Sequence, residues 1–149
     1  MPAAISKASP WSRLARRLRL TTPKPHGERF LRFAAEVRAR ILEVPPLEAS
    51  RAIDAGALFL DVRERGEFAQ RHAVGAENLG KGTIELEIEH YAPDSATPIV
   101  CYCSGGNRSA LVADNLQRMG YTNVRSIAGG LKAWIDAGLP TASEKEFLD

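Results

Sequence analysis

The chain has 149 residues, 44% of them hydrophobic and 26% charged, which is enough for one domain with a buried core and too apolar for general disorder. No window approaches the run of about 18 apolar residues that a membrane-spanning helix needs. The net charge of +2 is unevenly spread: residues 1–40 hold ten Lys or Arg against Glu28 and Glu36, a balance of +8, and the other 109 residues hold ten bases and sixteen acids, a balance of −6.

In chain order, residues 1–27 contain no acid and read as a basic, flexible extension. Within it Trp11, Leu14 and Leu18 fall at helical spacing among Arg13, Arg16 and Arg17. Three readings stand side by side: a solvated tail, an amphipathic segment touching a membrane surface or an acidic partner, and an organellar transit peptide. A secretory signal is disfavoured, because its apolar centre is missing. Since the basic excess belongs to this arm alone, no nucleic-acid partner is expected.

Residues 28–44 read as an amphipathic helix with Phe30, Ala34, Val37, Ile41 and Val44 on one stripe, ended by Pro45 and Pro46. A domain is expected over 45–141, followed by a short tail at 142–149. Short apolar runs at 57–62 and 98–102 read as buried strands, and 123–127 reads as a third strand. Segments 47–55, 64–71, 83–91, 109–119 and 130–137 read as helices, and 73–82 as irregular. Gly120 suits the end of the fourth of these helices, and Gly138 with Pro140 stops the last. Strands alternating with helices imply an α/β fold with a mainly parallel sheet covered on both faces.

The chemistry concentrates in one loop. The strand over 98–102 runs into CSGGNRS (103–109) and then into a helix. The carboxyl end of a parallel strand opens on the crevice where ligands bind. A helix beginning near Ser109 points its unpaired N–H groups and positive dipole end at the same place. Gly105 and Gly106 are expected to supply positive φ, so that successive amides converge as an anion nest. Arg108 adds a permanent charge. Such surroundings favour a thiolate at Cys103, the nucleophilic form. That thiolate could attack a phosphate ester or a sulfane sulfur. Only four residues separate Cys103 from Arg108; cysteine phosphatases place five there, and the shorter ring fits one sulfur atom better than a tetrahedral oxyanion.

Four segments together resemble the single-domain members of the rhodanese family of sulfurtransferases: the loop itself, DVRERGEF (61–68), RHAVGAENL (71–79) and IAGGLKAWIDAGLP (127–140). The resemblance implies a central, mainly parallel five-stranded sheet with helices on both faces. It implies a ping-pong sulfurtransferase in which Cys103 is catalytic and carries the sulfur as a persulfide. The donor would be thiosulfate, a polysulfide or a persulfide, a protein persulfide included, and the acceptor a thiol or cyanide. Ser104, Gly105, Gly106, Asn107 and Arg108 would bind substrate, with Asp61, Arg63 and Ser109 in support. Neither cofactor nor metal is implied.

This chain departs from the pattern of members that favour thiosulfate. They place further basic residues in the loop and before the aromatic residue of the DVR segment, where this chain has Ser104, Gly105, Gly106 and Glu67. Arg108 alone is expected to meet a dianion, so thiosulfate is expected to be a poor donor.

The remaining candidates read as structural. Cys101, inside the apolar run, reads as packing; Asp61 and Arg63 as a hydrogen-bonded strand end; His72 as a turn residue; Trp134 as core. His26, His72 and His90 do not have metal-ligand spacing, and Gly129–Gly130 lacks the rest of a dinucleotide fingerprint. Two thiols two residues apart are poorly placed to pair, so both are expected free and the compartment reducing. A cytoplasmic location is expected, or an organellar matrix if residues 1–27 are a transit peptide. Two rival functions remain in view, a non-catalytic protein-binding module of the same fold and a cysteine phosphatase or arsenate-reductase-like enzyme.

Overall fold

The computed structural model describes residues 25–144. The basic cluster at 11–20 and the last five residues lie outside that range.

Five strands form one sheet in the order β1-β6-β5-β2-β4. They are β1 (Leu42–Val44), β2 (Leu58–Asp61), β4 (Glu77–Asn78), β5 (Ile99–Tyr102) and β6 (Val124–Ile127). Every pairing is parallel. The centre is β5, flanked by β2 and β6, with Asp61 level with Tyr102 and Ser126 level with Cys101. All four residues of β5 are buried, as a parallel strand covered on both faces requires.

Side chains alternate between the faces. Leu60 and Cys101 join one core with Ile84, Ile88, Val112 and Leu116. Phe59, Val100 and Tyr102 join the other with Ala49, Leu131 and Trp134. The first core lies beneath α4 (Ile84–Tyr91) and α5 (Asn107–Arg118), the second beneath α2 (Pro46–Asp54) and α6 (Gly130–Asp136). Helix α3 (Arg65–Gln70) connects β2 to β3 (His72–Ala73), which pairs antiparallel with β7 (Thr141–Ala142) outside the main sheet.

Two readings of the sequence need correction. The helix expected over 28–44 ends early: α1 is Glu28–Arg38, and Leu42–Val44 is the edge strand β1, with Val44 level with Ile127. Val44 sits at helical spacing from Val37 and Ile41, so periodicity alone carried the helix too far. The segment 73–82, expected to be irregular, holds β4, whose two residues extend the sheet beyond β2.

Helix α1 lies on α5. Ala34 and Val37 are fully buried. Arg40 makes two charged hydrogen bonds to Asp114 of α5, of 3.0 and 2.9 Å, and Gln117 of α5 donates to the Arg40 carbonyl. The N-terminal helix is thereby fixed beside the loop that follows β5.

Candidate active site

Cys103 directly follows β5, at the carboxyl end of the central strand. The chain turns sharply there, and α5 starts at Asn107, two residues earlier than expected. Gly106 caps that helix with φ +103°, a conformation that side-chain-bearing residues rarely adopt. The turn brings its N–H to 3.1 Å from Cys103 Sγ. Gly105 differs from expectation, since positive φ belongs to Gly106 alone of the pair. A side chain at Gly105 would meet nothing within 4 Å, so neither backbone conformation nor close packing requires a glycine there.

A second contact reaches the sulfur from below. Ser126 Oγ donates to Ser109 Oγ at 2.8 Å, and Ser109 Oγ lies 3.5 Å from Cys103 Sγ. Both serines are fully buried. With its oxygen already accepting from Ser126, Ser109 has its own proton to share between the sulfur and the Gly106 carbonyl at 3.3 Å. The sulfur thus receives an amide and a hydroxyl donor, both suited to stabilising negative charge.

The first turn of α6 backs the loop. Leu131 N–H donates to the Cys103 carbonyl at 2.8 Å, and Lys132 N–H to that of Ser104 at 3.3 Å. Gly130 makes this approach possible. It has φ +59°, and a Cβ there would stand 2.4 Å from the Cys103 carbonyl oxygen. The Gly129–Gly130 pair, which as a cofactor motif means nothing, clamps the backbone at Cys103.

Arg108 is where the structure departs furthest from the sequence reading. Its guanidinium is engaged by Glu67 through two hydrogen bonds, 2.8 Å to Oε1 and 3.0 Å to Oε2, and also reaches Ser104 Oγ at 3.1 Å. Glu67 is held in position by the start of α3, where the Glu64 N–H donates back to its side chain. The Arg108 hydrogen bonds, working against partial burial, hold the Glu67 carboxyl at about 2. The charge expected to meet a dianion is therefore shared, held chiefly by Glu67 while still interacting with Cys103. A different cation touches the loop from outside the motif: Arg38 of α1 donates to Asn107 Oδ1 and also pairs with Glu43 at 3.4 Å.

Asp61 and Arg63 lie beneath the site, in a buried cluster. Arg63 donates to both Asp61 oxygens, at 2.8 Å in the ion pair, and Tyr102 Oη donates to Asp61 at 2.6 Å. Tyr102 Oη also accepts the Ala73 N–H, and Asn78 donates to the carbonyls of residues 61 and 63. Although burial works against it, the hydrogen bond and charge of Asp61 raise the Arg63 pKa. This cluster ties β2, β4 and β5 together and does not line the cleft. His72 stacks on Phe68 at 3.8 Å between ring centroids, with Nδ1 2.8 Å from the Phe68 carbonyl oxygen. Trp134 is buried, and its indole N–H donates to the Pro140 carbonyl. Cys101 is fully buried, and burial pushes its thiol pKa far up; both cysteines are free.

Above Cys103 opens a cleft of about 380 Å³, lined by Cys103, Ser104, Gly105, Asn107 and Arg108 together with His26 and Phe30. Gly106 and Ser109 hold the sulfur from behind. Motif reading missed His26, Phe30, Arg38 and Ser126. None belongs to the loop, and only the β5–β6 pairing could have pointed to Ser126.

The family model described as rhodanese-like domain matches residues 45–137, more than half of the chain. A thiosulfate sulfurtransferase GlpE of Haemophilus influenzae is 37% identical over 98 residues, covering 66% of this chain and 91% of that protein. A thiosulfate sulfurtransferase structure from Pseudomonas aeruginosa is 34% identical with a TM-score of 0.65; it covers 70% of this chain but only 20% of that larger one. A Rhodopseudomonas palustris protein of unknown function, described as a possible tyrosine phosphatase, is 27% identical with a TM-score of 0.68, over 82% of this chain and all of the other.

Proposed function

The chain belongs to the rhodanese-like domain family and is a sulfurtransferase of that type, and we propose that it carries sulfur on Cys103 as a persulfide. The Cys103 thiolate attacks the outer sulfur of a sulfane donor. The donor's S–S bond breaks and its electron pair leaves with the departing group, sulfite from thiosulfate or a thiolate from a persulfide. An acceptor thiolate or cyanide then attacks the terminal sulfur of the Cys103 persulfide and regenerates the thiolate. No external oxidant or reductant enters either half.

The observation that carries this reading is the pair of donors converging on Cys103 Sγ, the Gly106 amide at 3.1 Å and the Ser109 hydroxyl at 3.5 Å. They stabilise the thiolate before transfer, and the persulfide anion has its charge in the same nest. The ring from Cys103 to Arg108 is short for a phosphoryl group, and Arg108 is committed to Glu67. Both features favour sulfur over phosphate.

Among donors, thiosulfate is named for the Haemophilus influenzae and Pseudomonas aeruginosa relatives. Here it must either displace Glu67 from Arg108 or bind without that cation, so a persulfide or polysulfide is the better donor. The test is thiocyanate formation with donor and cyanide varied together. Parallel double-reciprocal lines, abolished by Cys103→Ser, are expected. Intersecting lines, or turnover surviving the substitution, would remove the covalent carrier.

A further inference from the structure

The rhodanese-like match begins at residue 45, yet one wall of the cleft comes from residues before it. His26 and Phe30 line the cavity. Their rings touch each other, with centroids 5.1 Å apart and planes tilted by 51°. Together they form one aromatic surface facing Ser104, Gly105 and Arg108. The surface is anchored, because α1 is pinned by buried Ala34 and Val37, by the Arg38–Asn107 hydrogen bond and by the paired bonds from Arg40 to Asp114.

An inorganic dianion gains little from this wall. The face of an aromatic ring carries partial negative charge, and the cation opposite is already paired with Glu67. An apolar or aryl group attached to the reacting sulfur gains contact area and loses no solvated charge. The cleft, at about 380 Å³, falls in the range that small organic ligands occupy.

We propose that Phe30 of α1 and His26, two residues before that helix, form a specificity element that seats the organic group of a donor R–S–S⁻ or R–SO₂–S⁻ with apolar R, against inorganic thiosulfate. The step balances for either. With a thiosulfonate, the Cys103 thiolate bonds to the terminal sulfur, the S–S bond breaks, and the sulfinate R–SO₂⁻ departs with the electron pair. With a persulfide the leaving group is R–S⁻. This inference rests on the sulfurtransferase reading above.

The test compares benzenethiosulfonate with thiosulfate as donors to the full chain, with cyanide as acceptor, in wild type, Phe30→Ala and Phe30→Leu. The ratio of kcat/KM for the aryl donor to that for thiosulfate is expected to fall about tenfold in Phe30→Ala and about threefold in Phe30→Leu. The fall should lie mainly in KM. Phe30→Leu keeps an apolar side chain of similar size, so it reports on the wall even if the alanine variant folds poorly. An unchanged ratio in both variants, or a fall confined to kcat, would overturn the specificity role and leave the sulfurtransferase reading standing. If wild type transferred sulfur from neither donor, that reading would fail and this inference with it.

Discussion

At the scale of single residues, the site is governed by who holds Arg108. Glu67 accepts two charged hydrogen bonds from it and a third from the Glu64 amide. Replacing Glu67 with Gln should free the guanidinium for an anionic donor. A half-exposed pair of this kind is worth about 1 kcal/mol or less, so kcat/KM for thiosulfate should rise by up to about fivefold, through a lower KM. The same pair makes a pH prediction. A carboxyl depressed from 4.5 to about 2 in the folded state adds stability that is present above 4.5 and lost as pH falls toward 2. The difference in Tm between wild type and Glu67→Gln should therefore shrink on acidification across that window, and be flat from pH 5 to 8. Glu67 was visible in the sequence as an acid where some relatives carry a base. Its bond to Arg108 was not, because the two residues lie 41 positions apart and only the folded sheet brings α3 alongside the loop.

At the scale of elements, the surroundings of Cys103 are shaped by three neighbours of β5. Helix α5 supplies the Gly106 cap and Ser109, β6 supplies Ser126, and the first turn of α6 supplies Gly130. A Cβ at Gly130 would overlap the Cys103 carbonyl at a backbone φ of +59°. Gly130→Ala should cost more than about 2 kcal/mol in denaturant unfolding and slow the loading of sulfur. Gly105→Ala, where a Cβ meets open space, should fold normally and reduce the rate only by narrowing the cleft. Ser109→Ala leaves the buried Ser126 hydroxyl without its acceptor, an expected loss of about 1–3 kcal/mol. Chemical denaturation compared with that of Ser126→Ala would check it. The central strands β2 and β5 were legible as apolar runs because strands buried on both faces need continuous hydrophobicity, whereas β6 sets Arg125 and Ser126 between Val124 and Ile127. The two edge strands were not. Leu42–Val44 has one buried residue of three and Glu77–Asn78 has none, so neither carries the pattern that marks a strand.

At the scale of the whole molecule, the loop that carries Cys103 sits between a rigid interior and an added helix. The interior is the Asp61–Arg63–Tyr102 cluster. Asp61→Asn would leave the Arg63 charge buried without its counterion, an expected loss of about 3–5 kcal/mol in denaturant unfolding, with the loop's own hydrogen bonds untouched. The added helix is α1, which supplies Arg38 to the loop and an aromatic wall to the cleft. Amphipathic spacing announced α1 as a helix packed on something. Which face of the domain it covers depends on the Arg40–Asp114 and Arg38–Asn107 contacts, between residues more than sixty positions apart. The motif residues, by contrast, were legible because a strand, a glycine turn and a helix are consecutive in the chain.

In the proposed reaction Cys103 carries the sulfur, while Cys101, two residues back in β5, is held inert by burial. Intact-mass measurement after incubation with a sulfane donor addresses it most directly, with wild type compared against Cys103→Ser and Cys101→Ser. The account predicts a gain of one sulfur atom by wild type and Cys101→Ser and none by Cys103→Ser. An equal gain by Cys103→Ser would contradict it.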